Sequence, residues 1–132
     1  MSSVIPKAYL DLFEKKALAH LATLMADGSP QVTPVWVDYD GKHVRVNSAK
    51  DRVKDKNMRR DPRVALSLHD PDNPYRYLEV RGRARVEPDE DRAFAQQVGA
   101  KYDADLSAYD APEDGRLVVT IEPVKVHPVD MS

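Results

Sequence analysis

The sequence contains no cysteine. That excludes a disulfide framework, a thiolate metal site and thiol catalysis. No run approaches the ~18 consecutive apolar residues of a membrane-spanning helix. The first residues, MSSVIPKAYLDLFEKK, lack the apolar block of a signal peptide, so a cytoplasmic location is expected. Histidine occurs only at His20, His43, His69 and His127, without HxH or HExxH spacing, so no metal site is expected. GxSxG, P-loop and GxGxxG motifs are missing too. Ser29, Ser48 and Ser67 lack an evident base, which leaves a hydrolase unsupported. The net charge of −2 is too small to suggest general nucleic-acid binding. If the chain is an enzyme, the hard chemistry belongs to a bound cofactor.

At 132 residues, residues 1–132 are expected to form one domain with its own core. Neither repeats nor a linker interrupt it. Charge, by contrast, is unevenly placed. Lys42 to Arg63 holds nine Lys and Arg against three Asp, a formal +6, within a chain that totals −2. Such a concentrated positive segment suits an anion, and phosphate is the usual one. A solvated helix is the rival reading. Aromatic residues are not interleaved with these charges, which disfavours nucleic acid.

The apolar pattern sets this segment among short strands. Pro6 to Lys16 has Tyr9, Leu10, Leu12 and Phe13 at helical spacing, predicting a short helix that covers one end of a sheet. Ala17 to Met25 and Pro30 to Tyr39 read as strands joined at Asp27-Gly28. Pro34 removes a ladder donor, so a bulge or a locally unpaired spot, or simply an edge strand, is expected there. After Asp40-Gly41, the stretch His43 to Ser48 alternates as a strand. The basic helix follows over Asp51 to Arg60, stopped by Asp61-Pro62. Arg63 to His69 and Arg76 to Val86 are strands around a loop at Asp70 to Tyr75. The second presents Leu78, Val80, Gly82, Ala84 and Val86 on one face and charge on the other. Pro88 to Lys101 reads as a helix with an acidic first turn. A polar loop over Tyr102 to Gly115 precedes a last strand, Arg116 to Val129, interrupted at Pro123. The fold class is therefore mainly β with short helices, a six-stranded antiparallel split or closed β-barrel.

Three stretches in this order carry a family resemblance: ALAHLATLMADGSPQVTPVWVDYDG, then VRVNSAKDRVKDKNMRRDPRVALSL, then YLEVRGRARV. Together they resemble the flavin-binding split-barrel family of pyridoxamine 5′-phosphate oxidase, and within it the branch that uses the deazaflavin coenzyme F-420. Arg52-x-Lys54-x-x-Asn57 with Arg60-Asp61-Pro62 is the most specific part. The resemblance implies a homodimer with the cofactor at the subunit interface and a small-molecule acceptor, and it implies neither nucleic acid nor membrane as partner. Carried over, Ser48, Arg52 and Lys54 are phosphate ligands. Asn57 is a neighbouring polar contact or orders the loop. Gln31, Val32, Thr33 and Pro34 line the ring. Trp36 stands near the ring or in the substrate pocket, although a core or interface role fits it equally. Lys50, Lys56 and Arg59 meet the acidic tail of the deazaflavin, or water. Tyr75 and Tyr77 come from the second subunit or pack in the core.

The chain departs from the family's namesakes at its end. PVKVHPVDMS lacks their arginine-bearing C-terminal motif, which argues against vitamin B6 oxidation. The implied activity is hydride transfer from the reduced deazaflavin to an electron-poor organic acceptor. Flavin mononucleotide on the same scaffold, or a non-enzymatic cofactor carrier, are the alternatives.

Overall fold

In chain order the strands are β1 (Ala19–Leu24), β2 (Pro30–Val35), β3 (Val37–Tyr39), β4 (Val44–Ala49), β5 (Arg63–His69), β6 (Arg76–Pro88) and β7 (Arg116–Asp130). They come from a computed structural model that describes residues 4–104 and 115–132. The expected polar loop therefore lies largely outside the described residues. All neighbouring strands are antiparallel, and the sheet order is β2-β1-β5-β6-β7-β4-β3.

Among the described residues there are seven strands where six were expected, because Pro30 to Tyr39 is broken at Trp36. The first half pairs only with β1, the second only with β4. Those halves are the two edges of the sheet. Val35 and Val37 are two residues apart, so their Cα atoms lie within about 7 Å. The sheet must therefore curl until its edges meet at Trp36, which is the geometry of a split barrel. Pro34 causes no bulge: the β1–β2 register runs unbroken from Ala19↔Val35 to Leu24↔Pro30. An edge strand tolerates proline because its nitrogen can face away from the ladder.

Alternation fills the barrel as the sequence predicts. Leu21, Val44, Val46, Leu66, Leu68, Leu78, Val80, Val119 and Ile121 are buried, while Arg81, Arg83 and Arg85 face outward. Each large apolar side chain so buried contributes about 1.5–3 kcal/mol. Gly28 and Gly41 take the positive φ (86° and 97°) that the two Asp-Gly turns require. The expected interruption at Pro123 is a bulge within a continuous β7: Arg81 pairs with Lys125 but Gly82 pairs with Pro123. A side chain at Gly82 would run into the Glu122 carbonyl, so the close approach of the two backbones there needs glycine.

The helices are shorter and tighter than predicted. Lys7–Phe13 is a 3-10 helix, with Leu12 and Phe13 buried against the barrel end. Arg76 ties it down: its guanidinium donates to both Asp11 carboxylate oxygens (2.7 and 3.0 Å), to the Ala8 carbonyl (2.7 Å) and to Asp70 (2.9 Å). The basic helix, α1, spans Val53–Arg60. The helix predicted from Pro88 begins later. After β6, a 3-10 turn at Glu90–Arg92 carries Asp91 and Arg92 at φ 56°, and α2 runs from Ala93 to Lys101. Asp89 still caps it, its carboxylate accepting from the N–H groups of Phe94 (2.9 Å) and Ala95 (2.8 Å). Among the described residues no helix is long and apolar enough to cross a membrane.

Candidate functional site

The end of β4 and the start of α1 are joined by a tight turn. Asp51 takes a left-handed conformation (φ 67°), and the Arg52 N–H donates to the Ala49 carbonyl at 3.4 Å. Arg52 itself is extended and sits at the N-cap position without a side-chain capping bond, with Lys54 in the first turn. On one helical face, residues two apart diverge. Here Arg52 lies outside the helix, so both cations line one cleft of about 410 Å3. Asn47, Ser48, Ala49 and Arg116 complete its β4–β7 side, and Leu18, Pro34, Val35 and Trp36 form the rest.

The electrostatics favour an anion. Burial, helped by the charge of Arg52, pushes the Lys54 ammonium below its ordinary value. Neither cation has a carboxylate partner among the described residues, unlike several of their neighbours. Arg45 is bidentate on Asp38 (2.9 and 2.7 Å) and Arg59 bonds Asp55 at 2.7 Å. Arg60 donates to Asn57 (2.8 Å) and to the Leu24 carbonyl (2.9 Å), and Arg63 pairs with Asp61 at 2.7 Å. Ser48 also lines this cleft, and its hydroxyl is buried, with no hydrogen-bond partner among the described residues. A stranded buried hydroxyl costs free energy unless something binds it. A planar fork and an ammonium on one cleft, with a hydroxyl-bearing residue in its wall, are residue types suited to phosphate.

The structure brings together Ser48, Arg52, Lys54, Pro34 and Trp36 from among the residues singled out in the sequence. Asn57 lies elsewhere. It is buried, and its amide donates to Thr23 (3.0 Å) and the Met25 sulfur (3.3 Å), pinning α1 onto the β1–β2 hairpin. Gln31 belongs to the same network, accepting from Thr23 at 3.1 Å. Val32 is 62% exposed and outside the cleft lining. Thr33 is outside it as well, with a buried hydroxyl that has no partner. Lys50 is exposed, its chain lying near Gly115, while Arg59 is engaged with Asp55. Tyr75 is exposed and Tyr77 half-buried, so neither is a core residue. Half-buried Trp36 stacks on Tyr102, with centroids 5.4 Å apart and planes at 10°.

The family model for pyridoxamine 5′-phosphate oxidase matches residues 5–130. The chain belongs to the pyridoxamine 5′-phosphate oxidase family. This family member is 38% identical to an F-420 reductase of solved structure, with a TM-score of 0.84 over 93% of this chain and 98% of that one. It is 25% identical to a conserved hypothetical protein of Mycobacterium tuberculosis (TM-score 0.77, covering 96% and 86%). Group A Streptococcus HupZ, at 16% identity and a TM-score of 0.68 over 97% and 96%, shares the fold. The family member's cleft is also lined by residues that the sequence did not single out: Leu18, Val35, Asn47, Ala49 and Arg116. Asn47 precedes Ser48 in the strand and was legible as a polar position. Arg116 was not, because only the β4–β7 register, Ala49↔Arg116, brings it there.

Proposed function

We propose that the cleft holds the phosphate of coenzyme F-420, and that the protein is an F-420-dependent oxidoreductase. The observation that carries this reading is that Arg52 and Lys54, without a carboxylate partner among the described residues, line one cleft together with Ser48. The 38% identity to an F-420 reductase supports the choice of coenzyme. Lys54 supplies a half-desolvated point charge, Arg52 a planar pair of donors, and Ser48 a further donor. Trp36, Pro34 and Leu18 offer an apolar wall that excludes water from a flat ring. When bound in its reduced form, the deazaflavin supplies a hydride to an electron-poor organic acceptor. The chain's own part is to bind, orient and desolvate.

Two copies of the chain are proposed to pair, each completing the other's ring site. An apolar groove of about 480 Å3 on the sheet, with Ala22, Pro30, Ala65 and Val124 in its lining, supports that reading as a surface a second copy can cover. Light scattering at several concentrations tests it, and a monomer throughout rules it out. The cofactor is tested by titrating the purified protein with oxidised F-420 and, in parallel, flavin mononucleotide, following ligand fluorescence. Tight F-420 binding with weak flavin binding is expected. The reverse order would move the protein to flavin chemistry, which the same phosphate donors serve. Binding of neither would refute the site.

A further inference from the structure

Trp36 sits where the sheet has no ladder. The β1–β2 register ends at Val35 and the β3–β4 register begins at Val37, so neither includes it. The polar groups of Val37, the next residue, are both taken by side chains from the end of α2. Its N–H donates to the Tyr102 hydroxyl at 3.3 Å, and its carbonyl accepts from the Lys101 ammonium at 2.6 Å. The same two side chains reach across the split. Tyr102 donates to the Ala17 carbonyl at 2.6 Å, and Lys101 to the Phe13 carbonyl at 2.7 Å. Tyr102 and Lys101 thus do at the seam what ladder bonds do elsewhere: they tie β3 to the segment that leads into β1. Lys101 also stands 4.6 Å from the centre of the Tyr102 ring, on which Trp36 is stacked.

We propose that Tyr102 is a positioning residue for Trp36: it clamps the indole at the open seam of the barrel, giving the cleft a rigid wall that favours a flat aromatic ring. Tyr102 is not itself part of the cleft lining. Its effect passes through Trp36, which is. Without the stack, the indole would be attached to a backbone position with no ladder bonds and would have several rotamers open to it. A wall that is already ordered costs a ligand less to use. The selection of a ring rests on the cofactor reading above; the clamp on Trp36 does not.

The chain has a single tryptophan, so its fluorescence reports this wall alone. In Tyr102→Leu the stack is lost. Emission should move to the red, acrylamide quenching should rise about twofold or more, and F-420 affinity should fall about 3- to 10-fold, as expected for loss of an aromatic pair. Tyr102→Phe keeps the ring, so its emission and affinity should stay within about twofold of the parent. Circular dichroism checks that each variant is folded. Unchanged emission and quenching in folded Tyr102→Leu overturns the proposal, as does a freed indole with unchanged F-420 affinity. If Tyr102→Leu does not fold, time-resolved anisotropy of the parent decides. Its tryptophan should tumble only with the whole molecule, and a dominant fast component overturns the clamp. Parent protein that binds neither F-420 nor flavin mononucleotide refutes the cofactor reading, and the fluorescence then judges the clamp by itself.

Discussion

Lys54 and Asn57 are three residues apart in one basic helix, yet Lys54 lines the cleft and Asn57 does not, so the proposed site gives them separable work. Replacing each by alanine should therefore give opposite patterns. Lys54 is half-buried, without a carboxylate partner among the described residues, and its charged form is disfavoured by burial and by Arg52. Removing it strands nothing, so stability should change by less than about 1 kcal/mol. Affinity for a phosphate-bearing coenzyme should fall by about 1–3 kcal/mol, the value of a charged hydrogen bond, or about 5- to 150-fold. Asn57 is the reverse case. Its side chain makes hydrogen bonds at 3.0 Å to Thr23, 3.3 Å to the Met25 sulfur and 2.8 Å from Arg60. At about 1 kcal/mol net for each good bond, plus the vacated volume, Asn57→Ala should cost about 2–4 kcal/mol of stability. The folded fraction should bind coenzyme as the parent does. Urea unfolding followed by circular dichroism reads the first quantity, and a fluorescence titration well below the unfolding midpoint reads the second. The reasoning fails if Asn57→Ala retains its stability and loses affinity, or if Lys54→Ala binds coenzyme unchanged.

Other expectations follow from single contacts. Ser48→Ala removes a hydroxyl without a partner, so it should leave stability unchanged or slightly raised and weaken coenzyme binding about 3- to 10-fold; a clear loss of stability would mean the hydroxyl is bonded in the free protein. Gly82→Ala places a methyl group against the Glu122 carbonyl at the bulge and should cost about 2–4 kcal/mol by urea unfolding, whereas a neutral result would mean the bulge can relax. Burial pushes Asp70 up, but Lys15, the Asp72 N–H and Arg76 outweigh it and hold the carboxyl at about 2, below its ordinary 3.8. A depressed carboxyl stabilises the fold above its unfolded value, so this stability should be complete above pH ~4 and lost as pH falls toward 2. Arg76→Ala should cost about 2–4 kcal/mol at neutral pH, because it leaves buried Asp70 with Lys15 and the Asp72 N–H but without its second cation, and should flatten that acid limb of the stability curve.

What the sequence could and could not reveal divides along one physical line. Local patterns were legible. Alternation located the strands, the Asp-Gly pairs located two turns, and Asp61-Pro62 located the end of the basic helix, each because the cause lies within a few residues. Pairing was not. Alternation runs straight through Val35, Trp36 and Val37, so nothing local marks the point where the chain leaves β1 for β4. The break becomes visible only when both registers are known, and it is the feature that puts Trp36 on the cleft. The basic segment gives the same lesson in charge. Its formal +6 is a property of the sequence, but which cations face a ligand depends on where the carboxylates and carbonyls fall. Asp38, Asp55, Asp61 and Leu24 engage Arg45, Arg59, Arg63 and Arg60, and leave Arg52 and Lys54 at the cleft. A count of charges predicted an anion site. Only the pairing of charges says which two residues, at most seven positions from the nearest engaged arginine, would hold it.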